Sequence, residues 1–88
     1  MIRVVIVTNP YDKQGAVPKT QAIQEELATN VPEADVRTVD FNRVRSALPI
    51  SRTPTVFIAF DEHTGDFDPA LVTRAIRAVQ HANEEALG

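Results

Sequence analysis

The sequence predicts a single small α/β domain, and three observations carry that prediction: the chain length, two apolar β-branched runs, and one amphipathic helical pattern near the C-terminus. At 88 residues the chain can bury one modest core, so no second domain is expected. Hydrophobic residues make up 43% and charged residues 24%, a balance that folds without a metal or disulfide framework. The runs Arg3-Val4-Val5-Ile6-Val7 and Thr55-Val56-Phe57-Ile58-Ala59-Phe60 read as strands, and the pattern from Pro69 onward reads as a helix that covers them.

Taken in order, Arg3 to Val7 is a continuous β-branched run, the pattern of a central strand buried on both faces. Residues Thr8 to Gly15 (TNPYDKQG) collect Asn, Pro, Asp and Gly, so a loop follows. From Pro18 to about Asn30, Ala22, Ile23 and Leu27 recur at helical spacing, with Pro18 suited to a first turn and Val31-Pro32 ending the helix. Ala34 to Asp40 (ADVRTVD) mixes β-branched and polar residues and suits an edge strand. Phe41 to Leu48 (FNRVRSAL) fits a short helix capped by Asn42 and stopped by Pro49.

Thr55 to Phe60 should lie beside the first strand in the core, and Asp61 to Asp66 (DEHTGD) should turn. A fourth strand between His63 and Phe67 is too short and polar to assert. In the last element Asp68 can cap and Pro69 can take the first helical position. Leu71, Val72, Ala75, Ile76, Val79, Ala82 and Ala86 then form the apolar stripe, and only Glu84 to Gly88 are expected to fray. The resulting order β-α-β-α-β-α suits a layered α/β fold, and several folds share it.

The composition removes several function classes. There is no cysteine, which excludes disulfides, thiolate metal sites and redox nucleophiles, since each needs sulfur. A formal charge of −3 and a pI near 5.2 argue against general nucleic-acid binding, which rests on clustered Lys and Arg. Met1 to Val7 is too short and too poor in bases for a secretory leader, and no run approaches the roughly 20 apolar residues of a membrane helix. A soluble cytoplasmic protein is therefore expected.

Motifs for cofactor or metal chemistry are missing too. Gly15, Gly65 and Gly88 form no phosphate-binding glycine pattern. His63 and His81 lack zinc-ligand spacing, and Asp61, Glu62, Asp66 and Asp68 fail the calcium-loop pattern. Ser46 and Ser51 belong to no readable Ser-His-Asp set. The expectation is no cofactor, no metal and no catalytic residues.

The segment Arg52-Thr53-Pro54-Thr55-Val56-Phe57-Ile58 resembles the region of thioredoxins and glutaredoxins where a cis-proline opens a buried strand and faces the redox loop. Most of the chain is similar to those families in element order. The resemblance implies a thioredoxin-like fold, a small mixed sheet of three or four strands flanked by helices in the order β-α-β-α-β-(β)-α. It also implies that the redox Cys-x-x-Cys falls near Gln14-Gly15-Ala16-Val17, where this chain carries no sulfur. The hairpin and Gly-Gly pair of glutaredoxins are absent after Phe60, with only Gly65 left of that signature. Another small α/β fold, or a ferredoxin-like one, remains open; an all-parallel sheet, or a trans Pro54 far from residues 10–17, would favour it.

The resemblance points to a backbone docking edge at Thr53 and Pro54, beside the loop Pro10 to Gly15, for an extended partner segment. The candidate partner-binding residues are Tyr11, Asp12, Gln14, Gly15, Arg52, Thr53 and Pro54; the plainer reading is that Pro54 merely starts a strand. Tyr11 is placed similarly to the tyrosine with which some glutathione transferases stabilise a thiolate, against the plainer reading of a loop tyrosine packing its ring. Arg37, Arg43, Arg45 and Arg52 crowd a stretch whose one acid is Asp40. They suit an acidic partner or a ligand carboxylate near Arg52, or simply a solvated helix face. Together these features predict a non-catalytic, redox-inactive module that binds another protein, of a size that suits a bacterial or bacteriophage accessory protein. The alternative is a glutathione or small-thiol binder, or a transferase-like enzyme, using Tyr11.

Overall fold

A computed structural model describes residues 2–46, 50, 52–58, 61–64 and 69–87; within these, the side chains of residues 61–64, 71, 79 and 82–87 are outside the description. The elements are β1 (Arg3–Thr8), α1 (Ala16–Asn30), β2 (Asp35–Asp40), α2 (Phe41–Val44), β3 (Thr55–Ile58), β4 (Asp61–Thr64) and α3 (Pro69–Leu87). The four strands form one mixed sheet in the order β2-β1-β3-β4. β1 runs parallel to β2, and β3 is antiparallel to both β1 and β4. β1 is therefore central and β2 an edge, as their compositions predict.

The core lies on one face of this sheet. Register sets Val4 against Ile58 and Ile6 against Val56, so these four side chains share a face. They cluster with Ile23, Leu27 and Val31 from α1 and its end, and with Val72 and Ile76 from α3. Burying each such aliphatic side chain contributes about 1.5–3 kcal/mol. Thr73 Oγ1 bonds Glu26 Oε1 at 3.2 Å, and Arg77 reaches the Asn30 carbonyl at 2.7 Å and Glu33 at 2.5 Å, so α3 is tied to α1 as well as to the sheet.

The other face is covered unevenly, which corrects the expectation that β1 is buried on both sides along its length. Val7 and Thr55, paired in register at the end where α2 packs against β2, are buried. Val5 and its neighbour Phe57 are only half-buried, beside Arg3, Asp35 and Arg37. Asp35 meets Arg37 at 3.5 Å and Arg3 at 4.0 Å, a solvent-facing cluster rather than a packed layer.

Three element boundaries also differ from expectation. Residues 61–64 form a strand rather than a turn, because a polar segment can hydrogen-bond to β3 on one side and leave its other edge in water. α1 begins at Ala16, making Pro18 its third residue, where a missing N–H still costs no helical bond. Asp40, not Asn42, caps α2: its Oδ1 accepts from the Asn42 backbone N–H at 2.8 Å. Strand β3 is described over Thr55–Ile58, and Ala59 and Phe60 of the expected strand lie outside the described residues. So do Ala47 to Pro49 of the expected helix end, residues 65–68 with Asp68, and Gly88.

Candidate docking face at the loop end of the sheet

Register gathers the candidate residues at one end of the sheet. Val7 pairs with Thr55 and Thr8 with Asp40. The loop that leaves β1, the start of α2 and the segment 52–54 that enters β3 therefore share that end. The Thr53–Pro54 peptide bond is cis, and Pro54 is buried.

The loop is built by short polar residues bonding their own backbone. Asn9 Oδ1 accepts from the Tyr11 N–H at 3.1 Å, and the Asn9 carbonyl accepts from the Asp12 N–H at 3.1 Å. This is the local turn chemistry that favours Asn in such positions. Asp12 then reaches forward to α1: Oδ1 accepts from the Gly15 N–H and Oδ2 from the Ala16 N–H, each at 3.0 Å. Its own carbonyl accepts from the Val17 N–H at 3.1 Å. Two donors at the start of the helix are thus met by one carboxylate, in a position where the helix dipole favours negative charge.

Gly15 is required by that arrangement. A Cβ built there would stand 2.5 Å from Asp12 Oδ2 and 2.9 Å from Oδ1, so any side chain displaces the carboxylate from its donors. Asp12 and Gly15, expected as contact residues, are occupied in building the loop. Tyr11 is 80% exposed, so its ring does not pack and its hydroxyl has no apolar enclosure. Gln14 and Arg52 are exposed and Thr53 is half-buried.

Several residues that hold this end had no reading in the sequence. Thr8 and Thr20 are buried, and Thr20 Oγ1 donates to Thr8 Oγ1 at 2.8 Å, tying the last residue of β1 to α1. Thr55 is fully buried, and its hydroxyl donates to the Arg52 carbonyl, closing the turn around Pro54. The Asp12 cap had a signal, an Asp three residues ahead of a Gly that opens a helix. The Thr8–Thr20 pair had none, because its partners meet only through the packing of α1 on β1.

A shallow groove of about 440 Å³ lined by Leu27, Val31 and Val36 lies at the opposite end of the sheet, away from these residues. Among the described residues no group of three or more His, Cys, Asp or Glu stands close enough to hold a metal ion. No helix there is long and apolar enough to cross a membrane. The fold and site together define a small mixed α/β domain with its loops and its proline-led turn gathered at one end. Compared with known proteins, the chain matches no family model, no curated protein and no solved structure.

Proposed function

We propose that the chain is a thioredoxin-like module without redox chemistry, whose loop end holds an extended segment of another protein along the Thr53–Pro54 edge. The strand order β2-β1-β3-β4, with β1 and β2 parallel and the other pairs antiparallel, agrees with that scaffold. One observation carries the reading: the Val7–Thr55 register brings residues 52–54 to the end from which the 9–15 loop departs. In a redox relative that juxtaposition would serve attack by a thiolate on a disulfide. A chain with no cysteine retains only the contact surface. Strand addition supplies affinity there through main-chain hydrogen bonds.

The thiol-binding alternative places a thiolate beside Tyr11. At 80% exposure water competes for the phenol, and a neutral donor in solvent stabilises a thiolate little. Contact is therefore the better-supported activity.

The test is capture from a lysate of the native host by the immobilised full chain, compared with Thr53→Arg. Circular dichroism checks that the half-buried substitution leaves the fold intact. A protein retained by the wild type and lost with Thr53→Arg supports the reading, and unchanged capture overturns it. Calorimetry with glutathione at millimolar concentration gives no heat on this reading; a saturable heat that Tyr11→Phe abolishes would replace it with the thiol-binding one.

A further inference from the structure

Among the described residues two acids stand at the loop end, and backbone donors engage both. Asp12 accepts from the Gly15 and Ala16 N–H groups, and Asp40 accepts from the Asn42 N–H at 2.8 Å and from Asn42 Nδ2 at 3.1 Å. Bases at the same end are differently placed. Lys13 lies within the loop, Arg43 lies in α2, and Arg45 is the residue that closes α2; all three are exposed. No acid among the described residues pairs with any of them. Arg52, also exposed, lies one residue before Thr53. Among the described residues, bases thus outnumber acids at this end of a chain whose formal charge is −3.

We infer that the partner segment is rich in carboxylates and pairs with the exposed bases that the loop and α2 place at this end, Lys13, Arg43 and Arg45. This rests on the docking reading above and names the chemistry of its partner. Guanidinium groups pair with carboxylates bidentately. The Asp12 and Asp40 carboxylates, already bonded to N–H groups, oppose such a ligand less than free acids would. Charges beyond about 8 Å are largely screened at physiological salt, so the patch acts on a segment that lies directly against it. A nucleic acid is a poorer fit. Its phosphates extend well past the patch, toward the Glu25, Glu33 and Asp35 parts of an acidic chain, and each needs its own counter-charge.

Fluorescence anisotropy with a labelled peptide of alternating Glu and Thr, titrated with the full chain, tests the inference. The expected result is saturable binding that weakens with added salt. Arg43→Glu and Arg45→Glu each weaken it by at least about fivefold, and Arg43→Gln and Arg45→Gln by less. Arg3→Glu makes the same charge change at the opposite end of the sheet and should weaken binding by less than about twofold. Equal loss with Arg3→Glu overturns the inference. So does absence of saturable binding, or tighter binding of a single-stranded oligonucleotide of matched charge.

The two readings fail separately. Host capture lost with Thr53→Arg, with no binding of the acidic peptide, removes only the acidic partner. Peptide binding through Arg43 and Arg45, with host capture unaffected by Thr53→Arg, removes the Thr53 edge.

Discussion

The contact between Asp12 and Gly15 makes a prediction about two substitutions that neither makes alone. Asp12→Ala removes the carboxylate that accepts from the Gly15 and Ala16 N–H groups. Loss of a helix cap costs about 1–2 kcal/mol, and the solvent near this exposed loop limits it to that range. Gly15→Ala acts on the same bonds from the other side, because its Cβ would stand 2.5 Å from Oδ2 and must expel the carboxylate.

The backbone at Gly15 has φ −115°, outside the left-handed region that favours glycine, so the close approach to Asp12 is the reason for glycine here. Alanine reduces unfolded-state freedom by about 0.4–1 kcal/mol. It is also the poorer residue just before a helix, by about as much. Gly15→Ala should therefore cost about 1–2 kcal/mol in the wild type and stay within about 0.5 kcal/mol of neutral in the Asp12→Ala background. At roughly 4–8 °C per kcal/mol for a domain of this size, thermal melts of the four proteins resolve the difference. Additive effects would refute the argument that Gly15 is there to admit the Asp12 carboxylate.

Three further predictions concern the body of the fold. Arg77→Met breaks the bonds to Asn30 and Glu33 and should lower the urea midpoint. A hydrogen bond from its own backbone, and then the Arg77 guanidinium, hold the Glu33 carboxyl below its ordinary value. The stability it contributes is therefore full above the unfolded value of about 4.3 and is lost as pH falls through the lowered folded value. Wild type should lose more stability than Arg77→Met between about pH 5 and 3, and parallel curves would exclude the coupling. Thr20→Val strands the buried Thr8 hydroxyl and should cost about 1–2 kcal/mol in urea unfolding, whereas Thr8→Val with Thr20→Val should cost less than the single change; a larger cost for the pair would refute this. Ile76→Ala, at a fully buried site, should cost about 2–5 kcal/mol, a large share of the roughly 4–13 kcal/mol expected for a chain of this length. A cost under about 1 kcal/mol would mean that α3 is not anchored there.

What could be read from the residues was whatever depends on local pattern and burial. The β-branched run at Val4 to Val7 marks a central strand, Val56 and Ile58 mark its antiparallel neighbour, and Pro69 opens the last helix, all as found. Misreadings occur where a partner supplies the reason for a structure. Asp61 to Thr64 has no apolar alternation and becomes a strand only because β3 offers it hydrogen bonds. Val5 and Phe57 have the composition of a two-sided core, yet the far part of that face carries the Arg3, Asp35 and Arg37 cluster instead of a covering layer. Helix α1 starts early because Asp12 reaches over from the loop. At the loop end the resemblance singles out Tyr11 and Thr53, whereas the bonds of the buried Thr8, Thr20 and Thr55 hydroxyls needed tertiary contacts to be seen.

The same bonds that shape the loop end also set its electrostatic character. A helix start can be capped by Ser, Thr or Asn as well as by Asp. An Asp cap adds a negative charge but sets it against backbone donors, whose partial positive charge at a helix start is about half a unit. At Asp12 that exchange leaves Lys13 beside a partly compensated acid, and α2 places Arg43 and Arg45 after the engaged Asp40. The Thr20–Thr8 and Thr55–Arg52 bonds meanwhile hold the ends of β1 and β3 before any partner arrives. A surface ordered in advance loses less freedom on binding, so more of each contact appears as affinity. On the proposal above, the partner segment would meet an end of the sheet already ordered by these bonds, with the exposed Lys13, Arg43 and Arg45 supplying the charge that selects an acidic chain.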